Sequence, residues 1–321
     1  MDRLAFRLLN EYQRDFPLVP RPFAEIAGEL RVSEAAVIRT FSGLLKDGKI
    51  GRIGAVFRPN TVGASALAAL AVPPSDLARV AEIVSARPEV NHSYEREHRY
   101  NLWFVVAAAD EARVACAIDR IESDSGLKAL RLPLEEEFHI DLGFDLENGS
   151  VPRAAPLRVR SVKLAAAELR LVAALADGLP MTEEPYVRLG SEADLSEHRV
   201  IEIMRGWVEG GVVRRFGAVV RHRPLGFRAN AMVVWDVPED EVRDAGRRLA
   251  RHAAVTLCYR RARQLPDWPY NLFCMVHGRE RGAVRRAIEE VARAAGLEQR
   301  TREILFSRTC FTQRGARYAH G

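Results

Sequence analysis

Apolar residues fall into helical register from the start of the chain: Leu4, Leu8 and Leu9 recur at three- and four-residue steps. Phe23, Ile26, Ala27 and Leu30 mark a second short helix. Ser33 then caps a third, with Val37, Ile38, Phe41, Leu44 and Leu45 turned inward and Gly48 as its stop. Three short helices with a tight turn after Leu30 predict a helix-turn-helix of the winged type. A β-like run follows at 50–57, then a strand (66–72), a helix carrying Leu77, Val80, Ile83 and Val84, a strand ending near Tyr94, a strand at 101–107 and a helix at 111–121. The order β-α-β-β-α-β is that of a ferredoxin-like unit.

The same grammar then recurs. Ile53-Gly54-Ala55-Val56 resembles Phe216-Gly217-Ala218-Val219, with Gly54 and Gly217 163 positions apart. The offset holds without a gap upstream, pairing Pro17 with Pro180, Pro22 with Pro185, Ser33 with Ser196 and Gly48 with Gly211. Downstream it pairs Arg58 with Arg221 and Gly63 with Gly226, then drifts until Tyr100-Asn101-Leu102-Trp103 meets Tyr270-Asn271-Leu272-Phe273. The second copy places its helices at 169–175, 185–190 and 196–210, and its strands at 212–220 and 231–237. A tandem α+β duplication results. A helix-turn-helix (1–49) and a ferredoxin-like α/β domain (50–146) are followed by a linker (147–160) in which Pro152 and Pro156 oppose helix, then by a second helix-turn-helix (161–211) and a second ferredoxin-like domain (212–321). The two halves are expected to fold against each other.

Composition narrows the chemistry. With 321 residues and 48% hydrophobic content the chain can bury several cores. It has no apolar run long enough to span a membrane and no signal-peptide core behind Met1-Asp2-Arg3, so a cytoplasmic location is expected. Cys116, Cys258, Cys274 and Cys310 lie far apart, without zinc-ligand spacing, so no metal site is expected and the thiols read as small buried hydrophobes. Lys and Arg number 48 against 43 Asp and Glu, a surplus that suits nucleic acid and a polycarboxylate ligand equally.

A helix-turn-helix joined to a ferredoxin-like domain resembles the Lrp/AsnC transcription regulators. A more specific resemblance is carried by Tyr94-Glu95-Arg96-Glu97-His98-Arg99-Tyr100-Asn101-Leu102-Trp103-Phe104, Trp268-Pro269-Tyr270-Asn271-Leu272-Phe273, Phe138-His139-Ile140-Asp141-Leu142-Gly143-Phe144 and Gly226-Phe227-Arg228-Ala229-Asn230-Ala231-Met232. These segments are similar to the sirohaem decarboxylases of haem d1 and alternative haem biosynthesis. The first half resembles the D-type subunit of that family and the second the L-type, fused into a pseudo-heterodimer. The resemblance implies a carboxy-lyase that removes carbon dioxide from the C12 and C18 acetates of sirohaem, giving 12,18-didecarboxysirohaem. It implies no separate cofactor, since the substrate brings its own iron. Whether fused chains pair further into a homodimer, or with related decarboxylase subunits, stays open.

Such a reaction needs cations to hold the carboxylates and an acid to quench the carbon left behind. Sirohaem carries eight carboxylates, so an arginine cradle is expected. The candidates are Arg58 and Arg221 at matched positions, Arg96 and Arg99 before the first Tyr-Asn-Leu, and Arg260 and Arg263 with Arg261 before the second. Tyr100 and Tyr270, with Asn101 and Asn271, are further matched candidates for substrate contact; each also reads as packing or turn closure. His98 is the principal candidate for acid or iron ligand, because imidazole exchanges protons near neutral pH. His222 is the second choice, and Tyr100 the third catalytic candidate. His277 is an outside candidate and His139 reads as structural. The second copy lacks a histidine matching His98, so the two pseudo-equivalent sites are not both expected to be active. Glu95 and Glu97 are assigned to holding Arg96, Arg99 or His98 in place, and Glu135-Glu136-Glu137 to a solvated edge.

The rival reading is a DNA-binding regulator or tetrapyrrole sensor. A DNA reader needs outward basic and amide groups on its recognition helix. Arg39 and Lys46 in the first copy, and His198, Arg199 and Arg205 in the second, are few and differ between copies, so nucleic acid is not the expected partner.

Overall fold

A computed structural model describes residues 1–140, 143, 146 and 164–318; the linker expected at 147–160 lies outside the described residues, as do three positions of the 138–144 motif. The first three-helix unit is α1 (Arg3–Glu11), α2 (Pro22–Leu30) and α3 (Glu34–Lys46), followed by the strand β1 (Ile50–Phe57). Its turns are written in the sequence. The Asp2 carboxylate accepts from the Ala5 amide at 2.7 Å, Arg31 closes α2 in the left-handed region at φ 55°, and the Ser33 hydroxyl caps α3.

The first α/β unit runs β2 (Ala64–Leu70), α4 (Leu77–Ala86), β3 (Val90–Arg96), β4 (Leu102–Ala108), α5 (Glu111–Ser125) and β5 (Ala129–Ile140). The second copy repeats the order as α6 (Ala166–Ala174), α7 (Pro185–Ala193), α8 (Glu197–Glu209), β6 (Val213–Val220), β7 (Ala229–Trp235), α9 (Val242–Ala250), β8 (Val255–Arg261), β9 (Leu272–Gly278), α10 (Arg281–Ala295) and β10 (Arg302–Gln313). Ends differ from the sequence expectation by a few residues, most at α5, where Gly126 at φ 73° stops the helix later than Ile121.

The halves do fold against each other, and more closely than two packed ferredoxin-like domains would. The final strands β5 and β10 are each 12 residues long. The first part of β5 pairs with β2 (Leu67 opposite Leu132) and the second with β8 of the other copy (Glu137 opposite Tyr259). In the same way β10 pairs with β7 and then with β3 (Cys310 opposite Tyr94). The result is a closed eight-stranded barrel, β10-β3-β4-β2-β5-β8-β9-β7, with no free edge among its own strands. Trp103, Trp268, Phe273 and Leu305 fill its interior, and separate apolar layers lie beneath the helices of each copy. With both faces covered, β7 is buried at all seven positions and shows no polar alternation.

A second antiparallel ribbon, β1 with β6, joins the helix-turn-helix units; Gly54 lies opposite Gly217 at its pseudo-twofold centre. Matched hydrogen bonds leave its two ends: the Arg58 amide donates to the Val212 carbonyl and the Arg221 amide to the Lys49 carbonyl, each 2.8–2.9 Å. Arg58 and Arg221 therefore depart from the ribbon toward pseudo-equivalent sides of the barrel. No described helix is long and apolar enough to cross a membrane.

Candidate active site

At the end of β6 the chain delivers Arg221, His222 and Arg223 against the barrel. The His222 ring sits with its centroid 5.1 Å from that of His277, which stands at the end of β9. Alternation along β9 puts Met275 on the same face as His277, and the Met275 sulfur lies 3.8 Å from the Arg96 guanidinium, at the end of β3. Arg96 is only 7% exposed. It donates to the Leu305 carbonyl at 3.1 Å and to the Ser307 hydroxyl at 3.0 Å, while Arg223 donates to the Ser307 carbonyl at 3.0 Å. Tyr94 lies on the same side, its ring centroid 5.8 Å from the Arg96 guanidinium carbon, and faces Cys310 across the β3–β10 pair. His92 stacks beyond Tyr94, with ring centroids 6.4 Å apart.

The electrostatics of this group are those of an anion site. Burial, helped by Arg223, brings Arg96 down to about 10. Burial first, then Arg52 and Arg221, brings His92 down to about 4. Burial first, then His222 and Arg96, holds His277 well below the ordinary histidine range. No carboxylate contributes to any of these shifts. Arg96 is a cation held out of water, which raises the free energy of the empty site, and an anionic ligand removes that cost.

The state of His277 follows from its neighbours. The Thr256 hydroxyl donates to the Met275 carbonyl at 3.2 Å and lies 2.9 Å from His277 Nδ1. A hydroxyl has one proton; given to the carbonyl, it leaves Nδ1 as the donor of the second bond and the lone pair of the neutral ring on Nε2. Such a nitrogen can ligate a metal carried by a substrate or accept a proton. Among the described residues no group of three or more His, Cys, Asp or Glu side chains is placed to hold a metal ion of the protein's own.

The structure brings together only part of the expected set. Arg96, Arg221 and His222 converge; Arg58 stands in the pseudo-equivalent position on the other side. His98, half-buried, lies elsewhere. Its Nδ1 accepts from the Tyr100 amide at 3.0 Å, and its ring meets Trp268 edge-on at 5.5 Å, beside Tyr100 and Tyr270 at the start of β4 and β9. Since β9 rises by ~3.3 Å per residue, the Tyr270 end lies roughly 20 Å from His277. Tyr100 thus belongs to an aromatic plug in the barrel. Asn101 and Asn271 are turn closures, each amide bonding both the amide and the carbonyl of one backbone residue, Val72 and Val237 respectively, at 2.9–3.1 Å.

Arg99 is exposed, 3.9 Å from Asp267. Arg260 is engaged by Glu135 and Glu239, and Arg263 by Asp236 and Glu239, so acidic neighbours already neutralise both. Glu95 and Glu97 do not hold their neighbours Arg96, Arg99 or His98; the pairing of β3 with β10 gives them cations of the second copy, Arg308 for both and Arg281 for Glu97. Arg223, Tyr94, His92 and Cys310 escaped the sequence reading. One sequence signal was available for this side of the barrel: at repeat-matched places the second copy carries His222 and His277 where the first carries Pro59 and Ala107.

Comparison with known proteins identifies the family. The profile of the AsnC-like ligand-binding domain matches residues 62–139 and 224–312, and that of the siroheme decarboxylase NirDL-like HTH domain matches residues 6–50 and 168–214. The "Siroheme decarboxylase NirDL subunit" of Paracoccus denitrificans (strain Pd 1222) is 46% identical over 325 aligned positions, covering 99% of this chain and 98% of that relative. The "Siroheme decarboxylase NirL subunit" of Stutzerimonas stutzeri, a separate half-length protein, is 48% identical over 49% of this chain and 91% of its own length. A crystal structure of the siroheme decarboxylase NirDL in co-complex with an iron-uroporphyrin III analogue superposes with a TM-score of 0.67 at 28% identity, covering 98% of this chain and 93% of the other. Matched along both copies, and at nearly half its positions by a relative of equal extent, the chain belongs to the sirohaem decarboxylase NirDL family.

Proposed function

We propose that this chain decarboxylates sirohaem at the C12 and C18 acetates, giving 12,18-didecarboxysirohaem, at the site formed by Tyr94, Arg96, Arg221, His222, Arg223 and His277. The observation that carries the reading is the convergence, on one side of the barrel, of the buried Arg96 with Arg223 on Ser307 and of His222 with His277. A tetrapyrrole with eight acidic arms is the complement of such a cluster, and a relative of the same fold binds an iron-uroporphyrin III analogue. The iron belongs to the substrate and no further cofactor is invoked.

Decarboxylation breaks the bond between the acetate methylene and its carboxylate. The electron pair passes into the pyrrole, carbon dioxide leaves, and the carbon takes up one proton to become a methyl group. Arg96 and Arg223 fix carboxylates of the bound pigment and hold it in register. His277 presents Nε2 to the macrocycle as an iron ligand, a role that suits a ring kept neutral by burial. His222, 5.1 Å from it ring to ring, supplies the proton.

Anaerobic incubation of the purified chain with sirohaem tests the reading. A mass loss of two carbon dioxide units is expected, and intact substrate after full binding refutes it. His222→Ala should abolish turnover while binding persists, and His277→Ala should alter the visible spectrum of the complex. Should His98→Ala alone abolish turnover, the acid belongs at the other end of the barrel.

A further inference from the structure

The pseudo-twofold axis that generates the site also generates its mate, and the mate is built differently. On that side Tyr259 and Arg261 stand where the site has Tyr94 and Arg96; the Arg261 guanidinium carbon lies 4.6 Å from the Tyr259 ring centroid and the group donates to the Leu132 carbonyl at 2.6 Å. Arg58 stands in place of Arg221. Both imidazoles are gone, with Pro59 and Ala107 in place of His222 and His277.

The decisive difference lies on the final strand. Strand pairing sets Glu137 opposite Tyr259 just as it sets Cys310 opposite Tyr94. Glu137 is no solvated edge residue, contrary to the sequence expectation for the 135–137 run: its side chain is 17% exposed, lies 3.5 Å from Arg58 and forms an ion pair with Arg214. Arg58 and Arg214 are themselves only 15% and 12% exposed. Arg14 is close enough to depress the Arg214 pKa, together with burial and Arg58. A nest of cations thus survives in the mate, and a carboxylate from the chain already sits in it.

We infer that Glu137 is a built-in carboxylate ligand that occupies the anion seat of the mate site, so that one chain binds one tetrapyrrole although its fold offers two places. The inference rests on the tetrapyrrole reading above and deepens it. A side chain tethered in place competes with a free acidic arm at a high effective concentration, so the seat stays filled. Removing the charge would leave Arg58 and Arg214 buried without a counter-ion and ready to accept the carboxylate of a pigment.

The test is titration with iron-uroporphyrin III followed by absorbance, at an ionic strength held constant. The wild-type chain should saturate at one pigment. Glu137→Gln, which preserves shape, and Glu137→Cys, which copies the residue of the working side, should each saturate at two. The second equivalent should bind at least tenfold more weakly than the first, and adding Arg58→Ala should weaken it at least tenfold further. Turnover per chain should stay within twofold of wild type, because the mate has no counterpart of His222 or His277. Saturation at one pigment in both variants overturns the inference, as does saturation at two in the wild type. Binding of no pigment by the wild type defeats the parent reading instead. If neither variant folds, wild-type stoichiometry decides, with a co-crystal showing Glu137 still on Arg58 and Arg214 as the expected result and a displaced Glu137 as the refuting one.

Discussion

Replacing Arg96 with methionine separates a ligand-binding arginine from a structural one, because the two roles predict opposite signs. Arg96 is 7% exposed and its pKa falls from 12.5 to about 10, with burial as the leading cause. A shift of that size corresponds to about 3 kcal/mol against keeping the cation where it is. The bonds to Leu305 and Ser307 return roughly 1 kcal/mol each. Methionine has similar length and reaches the apolar surroundings beside Met275, so Arg96→Met should raise folding stability by about 1 kcal/mol, as removal of buried charge often does. In the complex the same guanidinium meets a carboxylate, an interaction of about 1.5–3 kcal/mol that the variant loses, which weakens pigment binding by roughly 10- to 150-fold. Urea unfolding followed by tryptophan fluorescence gives the first quantity and absorbance titration with iron-uroporphyrin III the second. A variant that unfolds about 2 kcal/mol more easily while binding pigment as before would show that Arg96 serves the fold, and the electrostatic argument for the site would fall with it.

Asn101→Ala and Asn271→Ala each delete two amide bonds to one backbone residue and should cost about 2–3 kcal/mol in urea unfolding, with unchanged pigment affinity in the folded fraction; intact stability with weaker binding would return them to the cradle. Stability should also depend on pH through the imidazoles. His92, brought to about 4, and His277, held well below 6.5, are neutral in the fold and protonate first in the unfolded chain. Their contribution is therefore complete above pH 6.5 and falls as pH drops toward 4. His92 alone removes about 2 kcal/mol by pH 5, where Glu97, near 2, is still ionised; a urea midpoint equal at pH 7.5 and 5.0 contradicts this. At the ribbon centre a Cβ on Gly217 would stand 2.5 Å from the Tyr12 carbonyl oxygen, whereas one on Gly54 meets only the Arg52 side chain, at 3.0 Å or more. Gly217→Ala should destabilise by about 1–3 kcal/mol and Gly54→Ala by clearly less; equal midpoints would show that the ribbon shifts freely.

The repeat and the local elements were legible because they are local. Helical spacing with Ser33, Ser196 and Gly48 fixes helices where chain geometry allows little else, and Gly54 with Gly217 marked the duplication. Barrel closure was not legible, since β5 and β10 reach their second partners through pairings more than 100 residues apart along the chain, such as Glu137 with Tyr259. That pairing also decides which face Glu137 takes, so an acidic run read as solvated turns out to carry a buried ion pair. His98 drew attention through its neighbours in a long motif, but spacing alone cannot say which end of a strand meets the cations. The information that could have moved the choice toward His277 was asymmetry: residues that differ between copies at matched positions mark where two formerly equivalent sites have taken different roles.

Asymmetry of this kind also explains why both halves are needed in one folded unit. Tyr94, Arg96 and His92 come from the first copy, while Arg221, His222, Arg223, His277 and Ser307 come from the second; closure of the barrel through β10 and β3 is what brings them together. Either half alone would expose the second part of its final strand and hold half a cradle. Relatives that carry one copy per chain exist, such as the half-length NirL subunit, whereas here both copies lie in one chain. Fusion makes their encounter intramolecular and frees the two copies to diverge, one toward imidazoles and the other toward a carboxylate that fills its own seat.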